Sequence, residues 1–238
     1  TICGETIEYE PCAFMDYYDP NKVYSYIDHQ GRYSYINQGK IMFWNISKFA
    51  ESLIPILDED SDIARNIAVD VLKDFPRIFE GKWLDKMREK FGFSSKFKED
   101  YKIIYEFLNL IKEEGLDYTK AFRSLIFDDD KKFSFSNFEF KDITASKKWF
   151  NSWKTRLHKE KKDIQNVFES MKKINPIYIP RNHIIEKVIN DLVQGKGNNM
   201  LEKILKLTEK PYTQQKDSKY FELPPEPSEE VTNTFCGT

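Results

Sequence analysis

The stretch KEDYKIIYEFLNLIKEEG, residues 98–115, decides the fold class. Tyr101, Ile104, Tyr105, Leu108 and Ile111 recur at helical spacing, and Ile103, Phe107 and Leu110 widen the stripe. A stripe that broad predicts a helix buried on most of its surface, and Gly115 supplies a stop. Strand alternation is absent from it.

Outward from this helix the same period recurs. ISKFAESLIPIL (46–57) places Ile46, Phe49, Leu53 and Ile56 on one face, with Pro55 expected to end or kink it; the helical pattern begins at Trp44. SDIARNIAVDVLKDFPRIF (61–79) gives Ile63, Ile67, Val71 and Phe75, with Ser61 or Asp62 as N-cap. GKWLDKMREKFGF (81–93) reads as a short helix ending near Gly92. DDDKKFSFSNFEFKD (128–142) lacks helical period and reads as a loop or extended insertion. Trp149, Phe150, Trp153 and Leu157 then mark a helix, which Ile164, Phe168 and Met171 continue or follow. NPIYIPRNH (175–183) bends at two prolines and opens a helix at Asn182, whose stripe is Ile185, Val188, Ile189 and Leu192. Leu201, Ile204 and Leu205 mark a last short helix, before the proline-rich acidic tail FELPPEPSEE (221–230).

The first 45 residues differ. TICGETIEY (1–9) reads as a strand, and Phe14 onward is irregular, with turn signals at Asp19-Pro20-Asn21 and Gln30-Gly31. Long irregular segments in compact proteins tend to carry function. The expected architecture is mainly α, α+β overall, with residues 1–45 as a strand and loop leading into a helical body over 46–238.

Composition narrows the function classes. Aromatics are abundant, with 19 Phe and 13 Tyr, and 238 residues can bury a core without disulfides or metal. The formal charge of -2 gives no reason to expect nucleic acid or an anionic membrane as partner. No apolar run reaches a membrane span of about 18 residues. Cys3, Cys12 and Cys236 lack zinc-site spacing and point to a reducing compartment, so the expected location is cytoplasmic. His29, His158 and His183 share no metal-ligand spacing, and surface or capping roles suit them better. The strand end at Glu8 can hold a hard cation such as Mg²⁺ or simply face water, and the residues alone leave both readings open.

TIEYEPCAFMDYYDP (6–20), DHQGRYSYINQ (28–38), WNI (44–46), NPIYIPRNH (175–183), PY (211–212) and the terminal CGT (236–238), in this order, resemble the selenoprotein O / YdiU family. Its members are protein adenylyltransferases of pseudokinase fold, and only their C-terminal half is similar to this chain. The resemblance implies the C-lobe of a protein-kinase-like fold with extra helices. It implies transfer of AMP from ATP to Ser, Thr or Tyr hydroxyls of proteins, with Mg²⁺. The family's glycine-rich loop, lysine, phosphate-gripping arginines and catalytic Asp-Asn pair have no counterpart here, so no catalytic residue is expected in this chain. An N-terminal half would have to complete it.

The family's run T-I-D-Y-G-P places its Mg²⁺-binding, nucleotide-contacting aspartate at Glu8. The extra methylene moves the carboxylate by about 1.5 Å. Mg²⁺ keeps ligands at about 2.0–2.1 Å, so a misplaced ligand lowers the rate by about 10²-fold. Glu10 replaces the family's glycine, and Gly39 stands where the family favours proline. The segment Phe14–Gln38 is similar to a kinase activation segment. Cys236 occupies the family's redox-active Cys or selenocysteine position, with Cys3 or Cys12 as possible partners; an unpaired tail thiol is the alternative. Against the enzyme stands a second reading, a non-catalytic helical scaffold or a degenerate gene remnant. It is favoured by the absent upstream motifs and the altered EYEP.

Overall fold

The computed structural model describes residues 14–25, 27–127 and 140–231. Among them the protein is mainly helical, and an isolated antiparallel bridge joins Tyr17 to Asp117. The expected strand over 1–9 and residues 128–139 of the expected insertion lie outside the described residues. The chain divides into two compact units, one of residues 14–19 and 87–231, the other of 20–86.

In the larger unit the helices are α4 (Asp100–Glu113), α5 (Tyr118–Ser124), α6 (Ile143–His158), α7 (Ile164–Lys172), α8 (Asn182–Val193), α9 (Asn199–Glu209) and α10 (Lys219–Glu222). The numbering follows chain order, with α1 to α3 given below. The stripe of α4 is buried at Ile103, Ile104, Phe107, Leu108, Leu110 and Ile111, whereas Tyr101 and Tyr105 stay exposed and pair ring to ring. Gly115 takes φ +64, a left-handed stop that suits glycine.

The core against α4 is aromatic. Phe91 meets Phe107 and Phe122 edge-on at 5.2 Å, and Trp149 stacks on Trp153 at 5.7 Å. Both indoles keep a partner: Trp149 Nε1 donates to Ile103 O and Trp153 Nε1 to Phe91 O. An ion cluster is built into the same core. Arg156 lies between the Phe93 and Phe97 rings, 4.3 Å from each, and donates to Asp100 and Glu160 at 2.6 Å. Arg88 donates to the other oxygen of Asp100. Ser94 and Ser95 donate to Glu160, so each buried charge has partners.

A second core gathers Ile177, Tyr178, Ile184, Val188, Ile204, Leu207 and Phe221. The helix expected at Asn182 is present, but its buried row is Ile184 and Val188, while Ile189 and Leu192 are exposed. In α9 the buried pair is Ile204 and Leu207, and Leu205 faces out. The acidic tail is fastened here: Phe221 enters this core through α10.

In the smaller unit, a 3-10 turn at Tyr35–Asn37 leads into α1 (Gln38–Leu57), followed by α2 (Ser61–Leu72) and the start of α3 (Phe75–Lys90). α1 begins before Trp44, and Pro55 sits in its last turn, so the helix closes at Leu57. The N-cap of α2 is Asp60, whose carboxylate accepts from Asp62 N and Ile63 N, one residue ahead of the expected Ser61. Residues 75–90 form one helix rather than the two pieces the sequence pattern implied. Gly39 approaches Phe79 so closely that a Cβ would lie 2.7 Å from the ring.

Candidate functional site

The segment that follows Glu8 is moored before it becomes a loop. Tyr118 N donates to Asp16 O at 2.7 Å, Tyr18 N donates to Leu116 O at 3.1 Å, and Tyr17 bridges Asp117. The Tyr18 and Tyr118 rings stack at 5.5 Å.

Arg181 fixes this mooring from the side. Its guanidinium is fully buried and grips Asp117 bidentately at 2.7 and 3.1 Å. It also donates to Asp16 and to Glu222 O. Asp117 serves twice, since its Oδ1 also caps α5 at Lys120 N, 2.7 Å away. Burial opposes the charge on Arg181, but the carboxylates of Asp117 and Asp16 outweigh it and hold the guanidinium protonated. One cation thus ties the chain leaving residues 1–13 to the starts of α5 and α8 and to the end of α10. Bidentate geometry suits arginine and would not survive lysine.

The loop beyond Pro20 is pinned at its base by Tyr35 N to Lys22 O and Ile36 N to Pro20 O. At its tip the Asp28 carboxylate accepts from Arg32 N at 2.9 Å and Tyr33 N at 2.7 Å. Gly31 turns the chain at φ +65, and Asn37 Nδ2 closes back onto Gly31 O. Arg32 rests over the Trp44 ring, 4.7 Å from its centre. The turn expected at Gln30-Gly31 is therefore present.

Beside Arg181, His183 is buried against the Tyr220 ring, and burial pulls its pKa below the ordinary value. It lines an open groove of about 410 Å³ with Lys187, Asp191, Lys196, Tyr220 and Glu229. The groove mixes both charge signs, and Asp191 and Glu229 already have Lys187 and Tyr220 as partners.

Of the residues singled out from sequence, Glu8, Glu10, Cys3, Cys12 and Cys236 lie outside the described residues. Among the described residues no group of three or more His, Cys, Asp or Glu is placed to hold a metal ion. Also among them, no helix is long and apolar enough to cross a membrane. Arg181 and Asp117 escape sequence reasoning, because hydropathy marks both as surface residues. The local signal is only that Arg181 stands between Pro180 and a helix start.

Comparison with known proteins shows what the chain is similar to. The family model described as "Protein adenylyltransferase SelO" matches residues 1–209. The whole chain is 40% identical to "Protein nucleotidyltransferase YdiU" of Anoxybacillus flavithermus. It is 39% identical to proteins of that name from Bacillus thuringiensis and Clostridium botulinum. It spans 48% of the length of each of these relatives.

Proposed function

We propose a catalytic contribution from one premise: the chain belongs to the SelO family of protein adenylyltransferases. It is the C-terminal portion of a nucleotidyltransferase that moves AMP from ATP to hydroxyls of protein side chains. The observation that carries this reading is the match of residues 1–209 to the family, joined to 40% identity along the whole chain.

In this reading the helical unit is the C-lobe of a kinase-like fold. Glu8 supplies the carboxylate for Mg²⁺ on the nucleotide, and its hard oxygens suit that ion. The ion, when bound, neutralises charge on the phosphate under attack. This chain's own part is positional. The Arg181 clamp fixes the chain eight residues beyond Glu8. In this reading the segment Phe14–Gln38 takes the part of the family's activation-like segment. The groups that grip the triphosphate come from an N-terminal half.

The test is labelling from ATP carrying the label at the α-phosphate. The chain co-expressed with the unmatched half of the Anoxybacillus relative transfers label to itself or to a test protein. The chain alone transfers none, and Glu8→Ala abolishes transfer by the pair while Glu8→Asp retains it. Absence of labelling by a stable pair, with no Mg·ATP shift in its melting temperature, would establish the scaffold reading instead.

A further inference from the structure

The helices α1 and α2 carry the composition of a core but do not form one. α1 reads QGKIMFWNISKFAESLIPIL; Phe49, Leu53 and Ile56 lie on one broad apolar face opposite the polar Lys40, Ser47 and Glu51, and a face of that kind is normally turned to a core. None of its residues is buried. In α2 the row Ile63, Ile67, Val71 repeats at i, i+4, i+8, as a core-facing stripe does. These residues are 49%, 40% and 72% exposed, and Ala64 is the buried residue of the helix. The same periodicity in α4 is buried. α1 and α2 pack on each other, so the stripe is what remains uncovered after they pair. An apolar surface of this extent marks an interaction site.

The length of the relatives points to an occupant. Each holds about as much polypeptide again as this chain matches. Resting on the proposed function above, we propose that the exposed face of α1 and α2 is the docking surface for the unmatched half of the family polypeptide. Ile63, Ile67 and Val71 are its anchors from α2, and Phe49 and Ile56, seven residues apart on one face, from α1. The two halves then share one core across this face.

The test pairs this chain with the intact Anoxybacillus relative. In this chain alone, amides of α2 exchange fast, the chain sediments as a monomer, and Ile67→Lys leaves its melting temperature unchanged. In the intact relative the matching helix exchanges at least about tenfold more slowly. A photo-reactive phenylalanine analogue at the position matching Val71 cross-links to the unmatched half. Equal exchange in both proteins overturns the proposal, as do cross-links confined to the matched half. A dimer of this chain that Ile67→Lys dissociates also overturns it, by making a second copy the occupant. AMP transfer by the intact relative is read separately. Its absence would sink the enzymatic reading and leave the docking result standing, whereas transfer without slowed exchange would do the reverse.

Discussion

Arg181 and Asp16, 165 positions apart, form an ion pair inside the larger unit, with Asp117 as the guanidinium's second carboxylate. Removing the cation leaves two carboxylates in a place built for three charges. Arg181→Met is expected to destabilise by about 3–5 kcal/mol, the range for breaking a buried pair from one side. Asp16→Asn keeps the bidentate Asp117 contact and should lose about 1–3 kcal/mol. Urea denaturation measures both. If the two variants lose the same amount, Asp16 and not Asp117 is the principal partner, contrary to the geometry. Limited proteolysis adds a local readout: Asp16→Asn should hasten cleavage before Pro20 more than elsewhere.

Glu160 makes the acid limb of stability testable. Burial raises its pKa, but donors from Ser94, Arg156 and Ser95 more than offset this and pull the carboxyl down to about 2. The folded pKa is depressed, so the stabilisation is complete above the ordinary value of 4.5 and is lost as pH falls towards 2. Glu160→Gln should therefore be less stable than the parent by a constant margin from pH 7 to pH 5. The margin should shrink steadily below pH 4.5. Thermal melts across this range measure it, and a margin that does not change with pH would contradict the ion-pair account.

Helices α4, α6, α7, α8 and α9 were legible from their apolar periods, with Gly115 as the stop of α4, whereas α5 and α10, of seven and four residues, are too short to show a period. Where two apolar rows lie side by side, as in HIIEKVI, periodicity cannot choose between Ile184 and Ile185, and tertiary packing chose Ile184. The cap of α2 was missed by one residue because the run Glu59-Asp60-Ser61-Asp62 offers several acceptors. α1 starts earlier than its pattern because Gly39 and Lys40 carry no helical signal of their own, yet Gly39 is where Phe79 presses closest. The pairing made by Arg181 was not legible, since its position between Pro180 and a helix start says nothing of partners so far away in the chain. The metal carboxylate at Glu8 rests on family resemblance, because one carboxylate in isolation has no spacing to read.

Among the glycine helix stops, Gly92, just beyond α3, gives the sharpest backbone test. Its φ is +79, and a Cβ there would lie 2.6 Å from Val167 Cγ1 and 2.8 Å from Met171 Sδ. Both neighbours belong to α7, and Met171 is fully buried. Gly92→Ala combines left-handed strain of about 1 kcal/mol with overpacking of about 1–3 kcal/mol. The expected loss is about 2–4 kcal/mol, read from a denaturant midpoint. Gly195→Ala shares a positive φ but meets nothing within 4 Å, so it should show the strain alone. Equal losses at the two sites would rule out the steric contribution at Gly92.

Lys90 is a cation whose charge the fold opposes. Burial lowers its pKa from 10.5 to about 8. Its ammonium donates to Asn175 Oδ1 at 3.0 Å and lies 4.6 Å from the centre of the Phe122 ring. Between these two pKa values the unfolded chain holds a proton that the folded chain has released. Unfolding free energy contributed by this group therefore rises with pH from about 8 to 10.5 and is flat below that window. The full swing is about 3 kcal/mol at most. Lys90→Met removes the titration while keeping an unbranched apolar stem near the rings. The variant should compare best with the parent at pH 7, and its relative advantage should decline as pH rises through 8 to 10.5. Parallel stability curves for the two proteins over that range would mean that the Lys90 ammonium reaches water in the folded protein.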